Sequence, residues 1–126
     1  MWDAFFYRGG FILSLIPGYF GLNSMLRPEA MMKAVEFPVP TDPQNRKLTF
    51  ALMRIYGSRN VVIAYLFALN ALNGDKRHMG LGMIGTLFML VTDGLVSRSL
   101  IGGKEWYHWS FIPVYIGFIG GLLYTE

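Results

Sequence analysis

Residues 61–96 read VVIAYLFALN ALNGDKRHMG LGMIGTLFML VTDGLV, and this stretch decides the fold. Two apolar runs flank one short polar segment, Asn73-Gly74-Asp75-Lys76-Arg77-His78. The Asn-Gly pair and the charges behind it are a turn signal, so the runs on either side are expected to pair as an antiparallel helical hairpin. Working outward, the first run reaches back to about Leu48 and the second forward to about Val96, which gives expected helices over 48–72 and 79–96. A helix that crosses a bilayer needs about 20 mostly apolar residues. Two further segments come near that length, 5–26 and 106–124.

The composition agrees with a chain that meets hydrocarbon. Of its 126 residues 53% are hydrophobic and 16% aromatic, and only 15% are charged, where a soluble domain carries about a quarter. The expected fold class is therefore all-α, an integral membrane four-helix bundle that forms a single domain over 1–126 in contact with the lipid bilayer. Met1 to Arg8 carries one acid and one base before an apolar run without a small-residue cleavage site, so the first segment is read as a retained helix rather than a signal peptide.

The only long connection, Arg27 to Lys47, opens with Pro28 and Glu29, residues suited to a helical first turn. Met31, Met32, Val35 and Phe37 then supply an apolar face, so a short interfacial helix is expected between the first and second spans, ended by Pro38, Pro40 and Pro43. Trp2, Trp106, Tyr107, Trp109 and Tyr124 lie near span ends, where aromatic side chains anchor at headgroup level. The first and third connections hold Arg27, Lys33, Arg46, Lys47, Arg98 and Lys104 against Arg8, Lys76 and Arg77 on the other side. That bias favours the first side as cytoplasmic.

Several function classes are excluded or disfavoured. The net charge of +3 is spread through the gaps between apolar runs rather than gathered on one face, so no nucleic-acid partner is expected. With no cysteine there is no disulfide, thiolate nucleophile or iron–sulfur ligand. The two histidines, His78 and His108, belong to opposite sides of the expected membrane, so no metal site is expected. Gly80, Gly82 and Gly85 match a dinucleotide-binding glycine pattern, but no strand precedes them, and no cofactor is expected. Close helix packing explains them better. Gly117 and Gly121 form a G-x-x-x-G pair, either an internal contact or the seam of a homodimer through glycine-rich helix faces.

Ionisable groups inside a span cost roughly 2.5–3.5 kcal/mol each, which makes them functional candidates. Arg54 and Arg59 fall in the second expected span and Asp93 in the third. Counted inward from the first side, Asn23 lies about 6 Å deep, Arg54 about 9 Å, Arg59 about 16 Å, Asp93 about 7 Å and His108 about 3 Å. Side chains lean toward a helix N-terminus, so the charged ends of Arg59 and Asp93 are expected to approach across antiparallel helices. Tyr56, Arg59 and Asn60 share one stripe, and Arg54 with Ser58 a neighbouring one. Glu105 is placed to reach the mouth of such a pocket. The alternative for all of these is structural: ion pairs that lock a bundle, an arginine that reaches the headgroups, asparagines that bond between helices.

Gly21-Leu22-Asn23, Arg27-Pro28, Phe37-Pro38-Val39-Pro40, Arg54-Ile55-Tyr56-Gly57-Ser58-Arg59, Asp93-Gly94 and Trp106-Tyr107-His108-Trp109 together give the chain a family likeness. It resembles a family of small fungal and bacterial four-helix membrane proteins classed only as a domain of unknown function. The resemblance covers nearly the whole chain. It implies four spans and the importance of those polar positions, carries no activity, and through its fungal members implies an endomembrane such as the endoplasmic reticulum.

Two functions from different classes fit. One is an enzyme that isomerises, cyclises or opens an epoxide in a lipophilic small molecule, with Asp93 as acid or base and Arg59 and Tyr56 beside it as catalytic groups. Arg54, Asn23, Asn60, His108 and Glu105 would then bind substrate. The other is a non-catalytic protein that holds a lipid or docks a partner with the same cluster. Transport fits less well, because four short spans make a narrow bundle.

Overall fold

The computed structural model describes residues 2–124, with side chains from residue 4 to residue 124; the anchor role expected of Trp2 falls outside the described side chains. It contains α1 (Trp2–Leu26), α2 (Pro28–Ala34), α3 (Pro43–Leu72), α4 (Lys76–Ile101), the single turn α5 (Trp106–Trp109) and α6 (Ile112–Tyr124). There is no strand among the described residues. Three stretches are long and apolar enough to cross a membrane, Ala4–Leu26, Pro43–Leu72 and Lys76–Ile101. Their outward faces are apolar as well: Ile55 is 66% exposed and Phe88 76%. So many exposed large apolar side chains suit lipid, since water-soluble monomers rarely expose large apolar patches.

Two compact units divide the chain, one made of residues 14–65 and the other of residues up to 13 together with those from 66 on. The change of unit within α1 falls just before Pro17, which has no N–H to offer the Leu13 carbonyl.

In the 14–65 unit, α1 and α3 run past each other with their backbones nearly touching. A Cβ added at Gly21 would stand 2.6 Å from the Gly57 carbonyl oxygen, and one added at Gly57 would run into the Gly21 carbonyl. Only residues without a side chain permit this approach, the usual device for packing helices where lipid removes the hydrophobic drive. The connection between them is ordered by local rules. Pro28 opens α2, as its fixed φ predicts. The helix stops at Glu36, whose φ of 61° closes a left-handed cap: Glu36 N–H donates to the Lys33 carbonyl and Phe37 N–H to that of Met32. The stop therefore comes before the prolines that were expected to make it.

Two expectations for this connection change. Met31 and Met32, read as a membrane-facing stripe, are buried within the protein, Met32 at 4% exposure. Pro43, read as a breaker, is the first residue of α3, with Asp42 capping it through a carboxylate that accepts from Asn45 N–H at 3.0 Å. The helix thus begins five residues before Leu48. Its 30 residues rise about 45 Å, well beyond the ~30 Å of hydrocarbon.

Glu29 ties α2 to the start of α3 through Arg46 at 2.5 Å and also meets Lys33 at 3.3 Å. The hydrogen bond from Lys33, helped by the charge of Arg46, holds the Glu29 carboxyl below the usual carboxylate range.

The other unit is built on α4. The three-residue connection before it turns on Gly74, whose φ of 66° is the left-handed end of α3, and Asp75 caps α4 by accepting from His78 N–H at 3.1 Å. Tyr7 OH donates to the Gly74 carbonyl, which fastens the start of α1 to the same turn. Phe67 packs over Gly82, and its ring lies 6.3 Å from that of Tyr115 on α6. Met79, Met83 and Leu122 are fully buried between these segments. Glycines again receive the large side chains: Gly80 faces Leu122 and Leu123, Gly9 faces Phe118, and Gly121 faces Phe6.

The last expected span, 106–124, is not one helix. Pro113 lacks the N–H that would bond to the Trp109 carbonyl, and its ring crowds that carbonyl, so α5 ends at Trp109 and α6 starts at Ile112. The 13 residues of α6 rise about 20 Å, less than the hydrocarbon thickness.

Candidate functional site

The candidate residues fall into the two units. Asn23, Arg54, Tyr56, Arg59 and Asn60 belong to the 14–65 unit, whereas Asp93, Glu105 and His108 belong to the other.

In the first group, the Gly21–Gly57 crossing sets the register. It brings Arg54, three residues before Gly57, over the end of α1, where its Nε donates to the Met25 carbonyl at 3.4 Å. The last carbonyls of a helix have no partner in that helix and carry its negative dipole end, so a guanidinium is well placed there. Tyr56 and Arg59 do come together, the guanidinium carbon lying 4.7 Å from the ring centroid. Arg59 is exposed on the outer surface of α3, whereas Asn60, the next residue, is buried at 5% exposure. Asn23 turns its amide back onto the Tyr19 carbonyl of its own helix at 2.9 Å, so the side-chain amide serves α1 itself.

The second group gathers where α5 lies on α4. Gly94 leaves room for the Trp109 indole, whose Nε1 donates to the Val91 carbonyl at 3.3 Å, and a Cβ at Gly94 would collide with that ring. Asp93 is half-buried beside this contact, and His108 is half-buried on the turn that carries Trp109. The connection 102–105 is closed by Gly102, at φ 72°, and by Ser97 Oγ, which donates to the Gly103 carbonyl at 2.8 Å. It ends at Glu105, whose carbonyl accepts from the N–H groups of His108 and Trp109. The Glu105 Oε2 atom is withdrawn from solvent without a hydrogen-bond partner. Trp109 was read from the sequence as a headgroup anchor; its indole is seated over Gly94 and fastens α5 to α4. The adjacent Asp93-Gly94 pair was the signal available for that contact. Trp106 and Tyr124 are strongly exposed, as anchors would be.

Glycine patterns divide residue by residue. Gly80 and Gly82 serve close packing, as expected, while Gly85 and Gly117 have nothing within 4 Å of an added Cβ. Gly121 is an internal contact, so the G-x-x-x-G pair is not a single seam. Among the described residues no three His, Asp or Glu side chains gather as metal ligands would.

Fold and site together define an all-helical chain with three membrane-length helices, polar groups grouped on two separate units, and no assembled metal centre among the described residues. Residues 14–123 match the family model described as a domain of unknown function, DUF4267, and the chain belongs to that family. No curated protein and no solved structure matches it.

Proposed function

We propose that this chain is a four-span integral membrane protein of an endomembrane that performs cofactor-free acid–base chemistry on a lipophilic molecule entering from the bilayer. α5 and α6 make the fourth crossing: their 4 and 13 helical residues rise about 26 Å between them, near the ~30 Å of hydrocarbon. Isomerisation, cyclisation and epoxide opening each need only proton movement in a shaped, dry site.

The observation that supports the reading is Glu105 Oε2, buried and without a donor on the segment fastened to α4 beside Asp93. Leaving a buried acceptor unmet costs about 1–3 kcal/mol, a cost that a hydroxyl or water brought to the site would remove. Glu105 then holds the polar group of the substrate, Asp93 gives or takes the proton, and His108 on the same short turn exchanges it with the interface.

A second reading, a non-catalytic protein that binds a lipid or assembles with a partner, is favoured by the exposure of Arg54 and Arg59 on α3. Turnover by membranes containing wild type, Asp93→Asn or Glu105→Gln separates the two. The panel is lipophilic polyketide, terpenoid and sterol intermediates, and folding is checked by monodispersity in detergent. Catalysis predicts a specific product from wild type that Asp93→Asn loses while still folded. Product formation unchanged in Asp93→Asn overturns the assignment, and a wild type inert across the panel supports the second reading.

A further inference from the structure

The 14–65 unit holds six basic residues, Arg27, Lys33, Arg46, Lys47, Arg54 and Arg59, against three acidic ones, and so carries the whole net charge of +3. Three of the six are already engaged. Lys33 and Arg46 share Glu29, and Arg59 lies over Tyr56. The Asp42 carboxylate is occupied by the Asn45 N–H. Arg27, Lys47 and Arg54 remain, all exposed, and among the described residues none of them has a carboxylate partner.

Two of these residues share α3, and the third lies on the segment that Arg54 reaches. Lys47 and Arg54 are seven residues apart on α3 and so share one face. Arg54 Nε is held on the Met25 carbonyl, and Arg27 lies two residues further along the same chain, its N–H bonded to the Asn23 carbonyl. The bond to Met25 uses one of the five N–H donors of the exposed Arg54 and leaves four for a ligand. Around them lie exposed apolar side chains: Leu26, Leu48, Leu52 and Ile55.

We infer that Arg27, Lys47 and Arg54 form a binding site for the phosphate headgroup of an anionic membrane lipid. Guanidinium forks match phosphate oxygens in pairs, and the ammonium adds a point charge. The apolar surround selects the source: it accepts acyl chains along α3, which a free phosphate ion does not possess. The site lies wholly in the 14–65 unit and does not rest on the acid–base reading.

The test is native mass spectrometry of the full chain released from micelles and titrated with phosphatidylglycerol or phosphatidylcholine. Each cation at a membrane surface favours the anionic lipid by about 5-fold. Wild type should prefer phosphatidylglycerol, Arg27→Gln should lower that preference about 5-fold, and Arg27→Gln with Arg54→Gln about 30-fold. Arg27 is exposed and its side chain makes no cap hydrogen bond, so its single variant reads binding with little effect on folding. Replacing both arginines by lysine should keep most of the preference, and Arg77→Gln on the other unit should keep all of it. A preference unchanged in Arg27→Gln and in the double variant overturns the site. An equal fall in Arg77→Gln reduces it to bulk charge, and displacement of the lipid by equimolar inorganic phosphate overturns the lipid as its ligand.

Discussion

Gly57→Ala should be among the most damaging single-methyl changes in this chain. The added Cβ meets the Gly21 carbonyl oxygen and stands 2.9 Å from Met25 Cγ and Ser24 Cβ. A backbone oxygen cannot rotate aside as a flexible side chain can, so α1 and α3 must move apart along the crossing. Overpacking of this kind costs about 3 kcal/mol, and the better helix propensity of alanine returns about 1 kcal/mol, for a net loss of about 2 kcal/mol. Gly85→Ala is the matched control, because nothing lies within 4 Å of its added Cβ. It should gain about 1 kcal/mol from propensity alone. Reversible unfolding in mixed micelles, followed by helicity against the mole fraction of dodecyl sulfate, should therefore separate the two by about 3 kcal/mol. Gly57→Ala as stable as Gly85→Ala would refute the close backbone crossing.

Gly121→Ala meets the far end of the Phe6 ring, a movable side chain, so its loss should be nearer 1 kcal/mol and be recovered by Phe6→Leu in the same assay. Trp109→Phe removes the indole donor to the Val91 carbonyl and should cost about 1 kcal/mol, while shifting the amide resonances of the turn that carries His108. The bond from His78 N–H holds the Asp75 carboxyl below its ordinary value of 3.8. A folded-state pKa that is depressed gives stability present above the unfolded value and lost as pH falls through the folded one. Wild type should therefore lose stability as pH drops below about 4, and Asp75→Ala should lack that component of the loss.

Much of the architecture is legible in the sequence because it follows from local chemistry. The turn at Gly74 lies where the Asn-Gly pair placed it, and Pro28 opens α2. Two of the misjudged boundaries share one cause, the two meanings of proline. Pro43 has an aspartate before it and starts a helix, whereas Pro113 lies inside an apolar run and divides one. α4 continues past Val96 to Ile101 because Arg98 is no obstacle to a helix; Gly102, in the left-handed conformation, is the actual stop.

Local contacts among the candidate residues were legible from spacing, and contacts that depend on packing were not. Tyr56 and Arg59 meet as their spacing requires. Whether Met31 faces lipid or protein depends on what packs over it, and periodicity carries no such information. The role of Trp109 needed knowledge of Gly94 across from it, fifteen positions earlier in the chain. Glu105 was marked as a substrate-binding residue at the pocket mouth, but the burial of one of its carboxylate oxygens is a property of the folded connection.

The claim beneath every functional reading is that α3 crosses the bilayer. The chain contains no cysteine, so single cysteines at Gln44 and Asn73, at the two ends of α3, can be labelled uniquely with an impermeant maleimide on sealed vesicles. The account predicts that one is labelled only from outside and the other only after the vesicles are opened. Labelling of both from the same side would contradict it.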